Sequence, residues 1–158
     1  MNNSDKFSEE DLVICAVVLG KGSAKEKAKE LFEHFDQECD GYLKKSEIDQ
    51  MFINYACFVA CILPIIATGK PEEDMLDIET IQWYQRGMAR NLHNVIPKLI
   101  DLLLTPGTWN VHIDTFVDIM SRSDNAKLLT SCGLRQFVLK NGGFGRRKSK
   151  TQNIYYEL

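Results

Sequence analysis

The segment Asp36-Gln37-Glu38-Cys39-Asp40-Gly41-Tyr42-Leu43-Lys44-Lys45-Ser46-Glu47 sets carboxylates at alternate positions, a glycine at the sixth place and a glutamate at the twelfth. Carboxylates this close in sequence repel one another unless a cation offsets them, and the glycine frees the backbone for a sharp turn. Both flanks read as helix. Ahead of the segment, Ser23 and Glu26 form a Ser-x-x-Glu start signal, and Ala28, Leu31, Phe32 and Phe35 recur at three- and four-residue steps. Behind it, Ile48, Met51, Phe52, Tyr55, Val59 and Ile62 keep the same spacing. An acidic loop clamped between two amphipathic helices constrains the fold most, and it predicts an all-α chain.

Oxygen donors at the first, third, fifth, seventh, ninth and twelfth places, with glycine at the sixth, define the calcium loop of an EF-hand. Counted from Asp36, the candidate metal ligands are Asp36, Glu38 and Asp40 through their side chains, Tyr42 through its backbone carbonyl, and Glu47 through both carboxylate oxygens. Leu43 is expected to point inward. Two residues depart from the pattern: Glu38 is one methylene longer than the usual ligand, and Lys44 stands where calcium is usually approached through water. Both are expected to weaken binding, to the weak end of the roughly 10⁻⁷–10⁻⁵ M range of sensor loops or beyond it. The alternative is a loop that keeps this shape without calcium, as a helix-turn-helix clamp.

A partner loop is expected around Val111-His112-Ile113-Asp114-Thr115-Phe116, with Val111 in the place of Leu43. The residues before it, Leu104-Thr105-Pro106-Gly107-Thr108-Trp109-Asn110, carry no carboxylate, and Thr115 replaces the bidentate glutamate. This loop is expected to hold no calcium and to pair with the first through a short two-stranded contact between Leu43 and Val111. Trp109 and His112 are expected to pack rather than coordinate. The predicted fold is therefore an EF-hand pair with extra helices and only that short two-stranded contact.

The chain divides into residues 1–22, the remnant of a preceding exit helix and its linker; 23–64, the calcium-binding hand; 65–93, a connector with an extra helix; 94–121, the degenerate hand; 122–140, a C-terminal helix; and 141–158, a basic tail. Pro64 is expected to stop or kink the helix that follows the loop. A helix is expected over about 72–91, another from an Asn94 cap with Pro97 early in it, and two more over 114–121 and 124–139. After Tyr55 the apolar stripe widens through Ala56, Cys57, Phe58, Ala60, Cys61 and Leu63, so either the rest of the chain or a partner helix must cover the extra face.

With 158 residues, 44% of them hydrophobic and 26% charged, the chain is sized for one compact domain or two small lobes. A net charge of -3 offers no general attraction to nucleic acid or an anionic membrane, although Arg146-Arg147-Lys148-Ser149-Lys150 is locally basic. The uncharged run from Met51 to Thr68 contains Asn54, Tyr55 and Pro64 and reads as a buried helix, not a span. Met1-Asn2-Asn3 offers no glycine for myristoylation. The five cysteines form no CxxC pair, which points to a reducing setting and core positions. No Ser-His-Asp set, phosphate-cradling glycine loop or cysteine with a nearby base can be assembled, so no catalytic residue is expected.

Phe7-Ser8-Glu9-Glu10-Asp11-Leu12-Val13 resembles the end of another EF-hand. The following Lys21-to-Asp36 stretch, KGSAKEKAKELFEHFD, resembles the linker and entering helix of the neuronal calcium sensor, calcineurin B and calaxin group, and is similar to the regulatory EF-hand segment of calcium-activated NADPH oxidases. Ser121-Arg122-Ser123-Asp124 with Leu128-Leu129 resembles the stretch that closes those sensors. The resemblance implies a cytoplasmic calcium-binding regulatory or adaptor protein that docks a helix of a larger partner. Tyr55, Phe58, Val59, Ile62 and the last helix are the candidates to line that groove. Two alternatives stay open: a calcium-insensitive structural subunit of a large assembly, such as an axonemal complex in a cilium or on the cytoskeleton, or a regulatory subunit of a phosphatase or oxidase. The long connector and the single intact loop favour the structural one.

Overall fold

A computed structural model describes residues 7–67 and 78–142. The expected basic tail, 141–158, lies outside the described residues except for its first two positions, and the expected helix start at Pro71-Glu72 lies outside them altogether.

The first two helices start on caps of one kind; the second starts where the sequence signals it, and the first on a cap that the sequence reading did not single out. Helix α1 (Glu9–Leu19) is capped by Ser8, whose hydroxyl accepts the Asp11 N–H at 3.1 Å while the Asp11 carboxylate accepts the Ser8 N–H at 3.1 Å. Helix α2 (Ala24–Phe35) carries the same reciprocal cap between Ser23 and Glu26, at 3.3 and 2.7 Å. Each cap satisfies two of the N–H groups that a helix start leaves orphaned. These bonds also hold the Glu26 carboxyl below its ordinary range, the Ser23 backbone N–H contributing most.

Strand β1 (Tyr42–Lys44) follows the acidic loop and leads into α3 (Lys45–Cys57). It pairs antiparallel with β2 (Asn110–His112), and Leu43 stands opposite Val111 as the spacing predicts. Two backbone bonds extend the pairing: Ile113 N–H donates to Gly41 O at 3.1 Å and Lys45 N–H donates to Trp109 O at 2.8 Å. The fold is all-α, an EF-hand pair joined by one short two-stranded contact. Leu43 and Val111 are both buried, so the strand pair tethers the two loops to the core as well as to each other.

Helix α6 (Ile113–Ser121) leaves β2 and packs on α2, where Phe32 and Phe116 meet edge to face with ring centroids 5.4 Å apart. Both rings are fully buried, each contributing about 1.5–3 kcal/mol by transfer from water. The core also includes Leu31, Phe35, Ile48, Met51, Phe52 and Tyr55 from α2 and α3, with Met88, Val95 and Leu99 from α5 (Ile78–Ile100).

Past Cys57 the chain makes a π-helical turn, Phe58–Ile62, before α4 (Leu63–Ala67). The Leu63 N–H donates five residues back, to Phe58 O. A proline at position 64 would drive its ring against the Ala60 carbonyl in a regular α-helix. The wider turn relieves that clash, so Pro64 inserts a π turn where a stop or kink was expected. Helices α1, α5 and α8 (Ser131–Asn141) pack on this turn, so the rest of the chain covers the widened face.

Two expected breaks fall elsewhere. The helix expected to begin at Asn94 is the continuation of α5 (Ile78–Ile100), which runs through Pro97. The Asn94 side chain caps nothing; its Nδ2 donates to Gly142 O at 3.3 Å. The N–H that Pro97 lacks falls where both His93 and Pro97 are exposed, so water can serve the freed His93 carbonyl. Conversely, the single helix expected over 124–139 is divided into α7 (Ser123–Ala126), a 3₁₀ turn (Lys127–Leu129) and α8 (Ser131–Asn141). Thr130 starts α8 afresh by accepting the Gly133 N–H at 3.1 Å. Gly133 lies so close to the turn that a Cβ there would sit 2.0 Å from Lys127 O. No helix among the described residues is long and apolar enough to cross a membrane.

Candidate metal loop

Asp36 ends α2, its N–H donating to Phe32 O at 3.0 Å, and its carboxylate turns into the loop. There it accepts the Asp40 N–H at 3.2 Å on one oxygen and the Gly41 N–H at 2.9 Å on the other. At 7% exposure it is the one buried charged residue among those described, and its oxygens are satisfied as burial requires. Cys39 and Gly41 take positive φ, 52° and 78°, which lets the chain reverse between the third and seventh places. Gly41 adopts that conformation without the steric cost a side chain would add.

Asp40 accepts the Tyr42 N–H at 2.8 Å, and Glu47, in the first turn of α3, accepts the Lys44 N–H at 2.8 Å. Glu38 lies exposed on the rim and forms an ion pair with the Lys44 ammonium. The hydrogen bond to Glu38 raises the Lys44 pKa above the usual lysine range, against a smaller desolvation effect, and the negative charges of Glu38, Glu47 and Asp40 add to the rise. Sequence reasoning named Lys44 as a defect in the pattern and missed that it has a partner inside the loop. The third-to-ninth spacing within one closed loop was the available signal.

The donor set of Asp36, Glu38, Asp40, the Tyr42 carbonyl and Glu47 is all oxygen, which fits a hard cation such as calcium. Among the described residues, no three His, Cys, Asp or Glu side chains converge closely enough to hold a metal ion as they stand. Asp36 and Glu47 face loop N–H groups, and Glu38 faces Lys44. Coordination by the full set therefore requires Glu38 to leave the ammonium.

The partner loop behaves differently. His112 caps α6, its Nδ1 accepting the Asp114 N–H at 3.3 Å, and its ring meets Tyr42 with centroids 5.0 Å apart. It packs, as expected. Trp109 does not: the residue is 73% exposed, and it contributes its carbonyl to Lys45 instead. Its place before β2 faces it outward from the strand pair. Thr115 is exposed on α6.

Of the expected groove residues, Tyr55, Phe58 and Val59 are fully buried and Ile62 is partly so, beneath α5 and α8. The Tyr55 hydroxyl donates to Leu128 O at 2.9 Å, and burial pushes its pKa up, out of the ordinary tyrosine range. Cys57 at the entrance to the π turn and Cys61 within it, one turn apart, share a hydrogen bond. It pulls Cys57 down to about 6 and raises Cys61. The sequence sets the two one helical turn apart, near enough to touch a metal but with no further ligand at the right spacing, and reads them as core residues; the bond between them was missed.

The family model of the EF-hand domain pair matches residues 3–53. No curated protein and no solved structure matches the chain. The match, with the paired loops, supports an EF-hand protein and a calcium-binding regulatory role, since EF-hand domains in general bind calcium. It is a match to the EF-hand pair as such, not to the sensor, calcineurin B or calaxin group within it. The matched pair spans α1 to α3, whereas the strand pairing joins the acidic loop to residues 110–112.

Proposed function

We propose that this protein is a calcium-binding EF-hand regulatory or adaptor protein that docks a helix of a larger partner. The observation that carries the reading is the Leu43–Val111 pairing. It closes an oxygen-rich loop between two amphipathic helices and couples the loop directly to α3, whose far end forms the widened apolar face. When calcium is bound, it supplies charge neutralisation at the loop; Asp36, Glu38, Asp40, the Tyr42 carbonyl and Glu47 hold it. Glu47 stands on α3 itself, so a pull on its carboxylate is a pull on that helix. In this structure α1, α5 and α8 together cover the apolar face, and a partner helix of matching amphipathic character takes the place of α8.

A second reading is a fixed structural clamp in a larger assembly, favoured by the loop's own hydrogen bonds and by the Glu38–Lys44 pair, which hold its shape. Calorimetric titration of the full chain with calcium separates the two. One site, micromolar or weaker and abolished by Glu47→Gln, supports the regulatory reading; absence of heat at millimolar calcium refutes it.

A further inference from the structure

Within the loop, three of the four carboxylates, Glu38, Asp40 and Glu47, act on one ammonium, that of Lys44. Lys44 is bound at both ends of the acidic stretch, through its ammonium to Glu38 at the third place and through its N–H to Glu47 at the twelfth. The neighbouring Lys45 does not share this duty, because its ammonium is taken by Asp49 on α3 at 3.0 and 3.1 Å. The rest of the loop is shaped by its own groups: Asp36 gathers the Asp40 and Gly41 N–H groups, and Asp40 gathers that of Tyr42. The strand pair then fixes Leu43 against Val111. The repulsion expected of an acidic cluster is thus offset from within the chain.

We infer that Lys44 is the loop's built-in cation: its ammonium occupies the place of external charge, holds Glu38 in position, and must be displaced for calcium to enter. This rests on the reading of residues 36–47 as a calcium loop and specifies how that loop is regulated. Calcium then binds by exchange against a tethered competitor whose effective concentration is set by the loop. The loop is folded before metal arrives, and the affinity is set by how readily Glu38 changes partner. The Lys44 and Glu38 side chains are 48% and 59% exposed, so water screens the pair and the competition is graded rather than prohibitive.

The test uses the full chain with Lys44→Gln, which keeps length and polarity but removes the charge, with Lys44→Arg as the charge-preserving variant. Calcium affinity is read by calorimetry. Hydrogen exchange of the Asp40, Gly41 and Leu43 amides is read without metal. Lys44→Gln is expected to tighten calcium roughly three- to tenfold, from loss of the ion pair and of like-charge repulsion, and to speed metal-free loop exchange by about two- to fivefold. Lys44→Arg stays near the native values in both. Unchanged or weaker calcium binding by Lys44→Gln, with unchanged exchange, overturns the inference. If neither protein binds calcium but Lys44→Gln still loosens the metal-free loop, the calcium reading falls while the built-in cation stands.

Discussion

Replacing Tyr55 with Phe isolates one bond that ties α3 to the C-terminal part of the chain. The ring is 1% exposed, and its hydroxyl donates to Leu128 O across 73 residues of sequence. Phe keeps the ring and its packing, so the change removes one oxygen and leaves a buried carbonyl without its donor. That loss costs about 1–2 kcal/mol, and for a chain of this length it lowers Tm by about 2–8 °C. A pH arm sharpens the test. Burial raises the folded-state pKa of Tyr55 above its unfolded value, so the folded state holds the proton more tightly. Its stabilisation is complete below the unfolded value of about 10 and is lost as pH rises beyond it. Urea unfolding followed by circular dichroism between pH 7 and pH 11 measures both effects. The native chain is expected to lose more stability than Tyr55→Phe across the alkaline arm. A variant as stable as the native protein at pH 7, with the same alkaline slope, would refute the placement of this hydroxyl in the core.

Further outcomes follow from single contacts. Gly133→Ala brings a Cβ to within 2.0 Å of Lys127 O and 2.7 Å of its carbon, so the 3₁₀ turn must move; the urea midpoint should drop by the equivalent of about 1–3 kcal/mol. Phe116→Ala removes the ring that meets Phe32 and should cost about 3–5 kcal/mol in the same assay, whereas exposed Thr115→Ala should cost almost nothing. Cys57, held as a thiolate above about pH 6 by the Cys61 hydrogen bond, should react with iodoacetamide at pH 7 ahead of Cys61, as read by peptide mass spectrometry. The thiolate is lost as pH falls through that value, and Cys61→Ala should move the inflection back up toward the ordinary thiol range of about 8.5; an unmoved inflection contradicts the shared hydrogen bond.

The parts of the fold legible in the sequence are those encoded locally. Ser23 with Glu26 and the stripe from Ala28 to Phe35 fix α2 within a few residues, and Leu43 is matched to Val111 across 68 positions because each is the apolar residue just ahead of an exit helix, although the second loop has lost its ligand pattern. The failures share a cause: tertiary neighbours decided them. Asn94 has a good cap residue's chemistry, but Gly142 takes its side chain and the helix runs on through Pro97. Nothing in 124–139 spells a break until Gly133 meets the Lys127 carbonyl. Pro64 announces a perturbation, but whether it stops the helix, kinks it or widens it to a π turn is not written in the neighbouring residues. At the loop the candidate donors were legible residue by residue, while the Glu38–Lys44 pair was not, since the pattern describes what a metal wants and not what the side chains do for one another.

The account turns on a link between the acidic loop and the face that α8 covers. Hydrogen–deuterium exchange of the full chain, with and without saturating calcium, measures it most directly. Faster exchange in Ser131–Asn141 and in Phe58–Ile62 on adding calcium, absent in Glu47→Gln, is the result predicted. Calcium-induced protection confined to residues 36–47, with α8 unchanged, would contradict the link and leave the paired loops as a clamp.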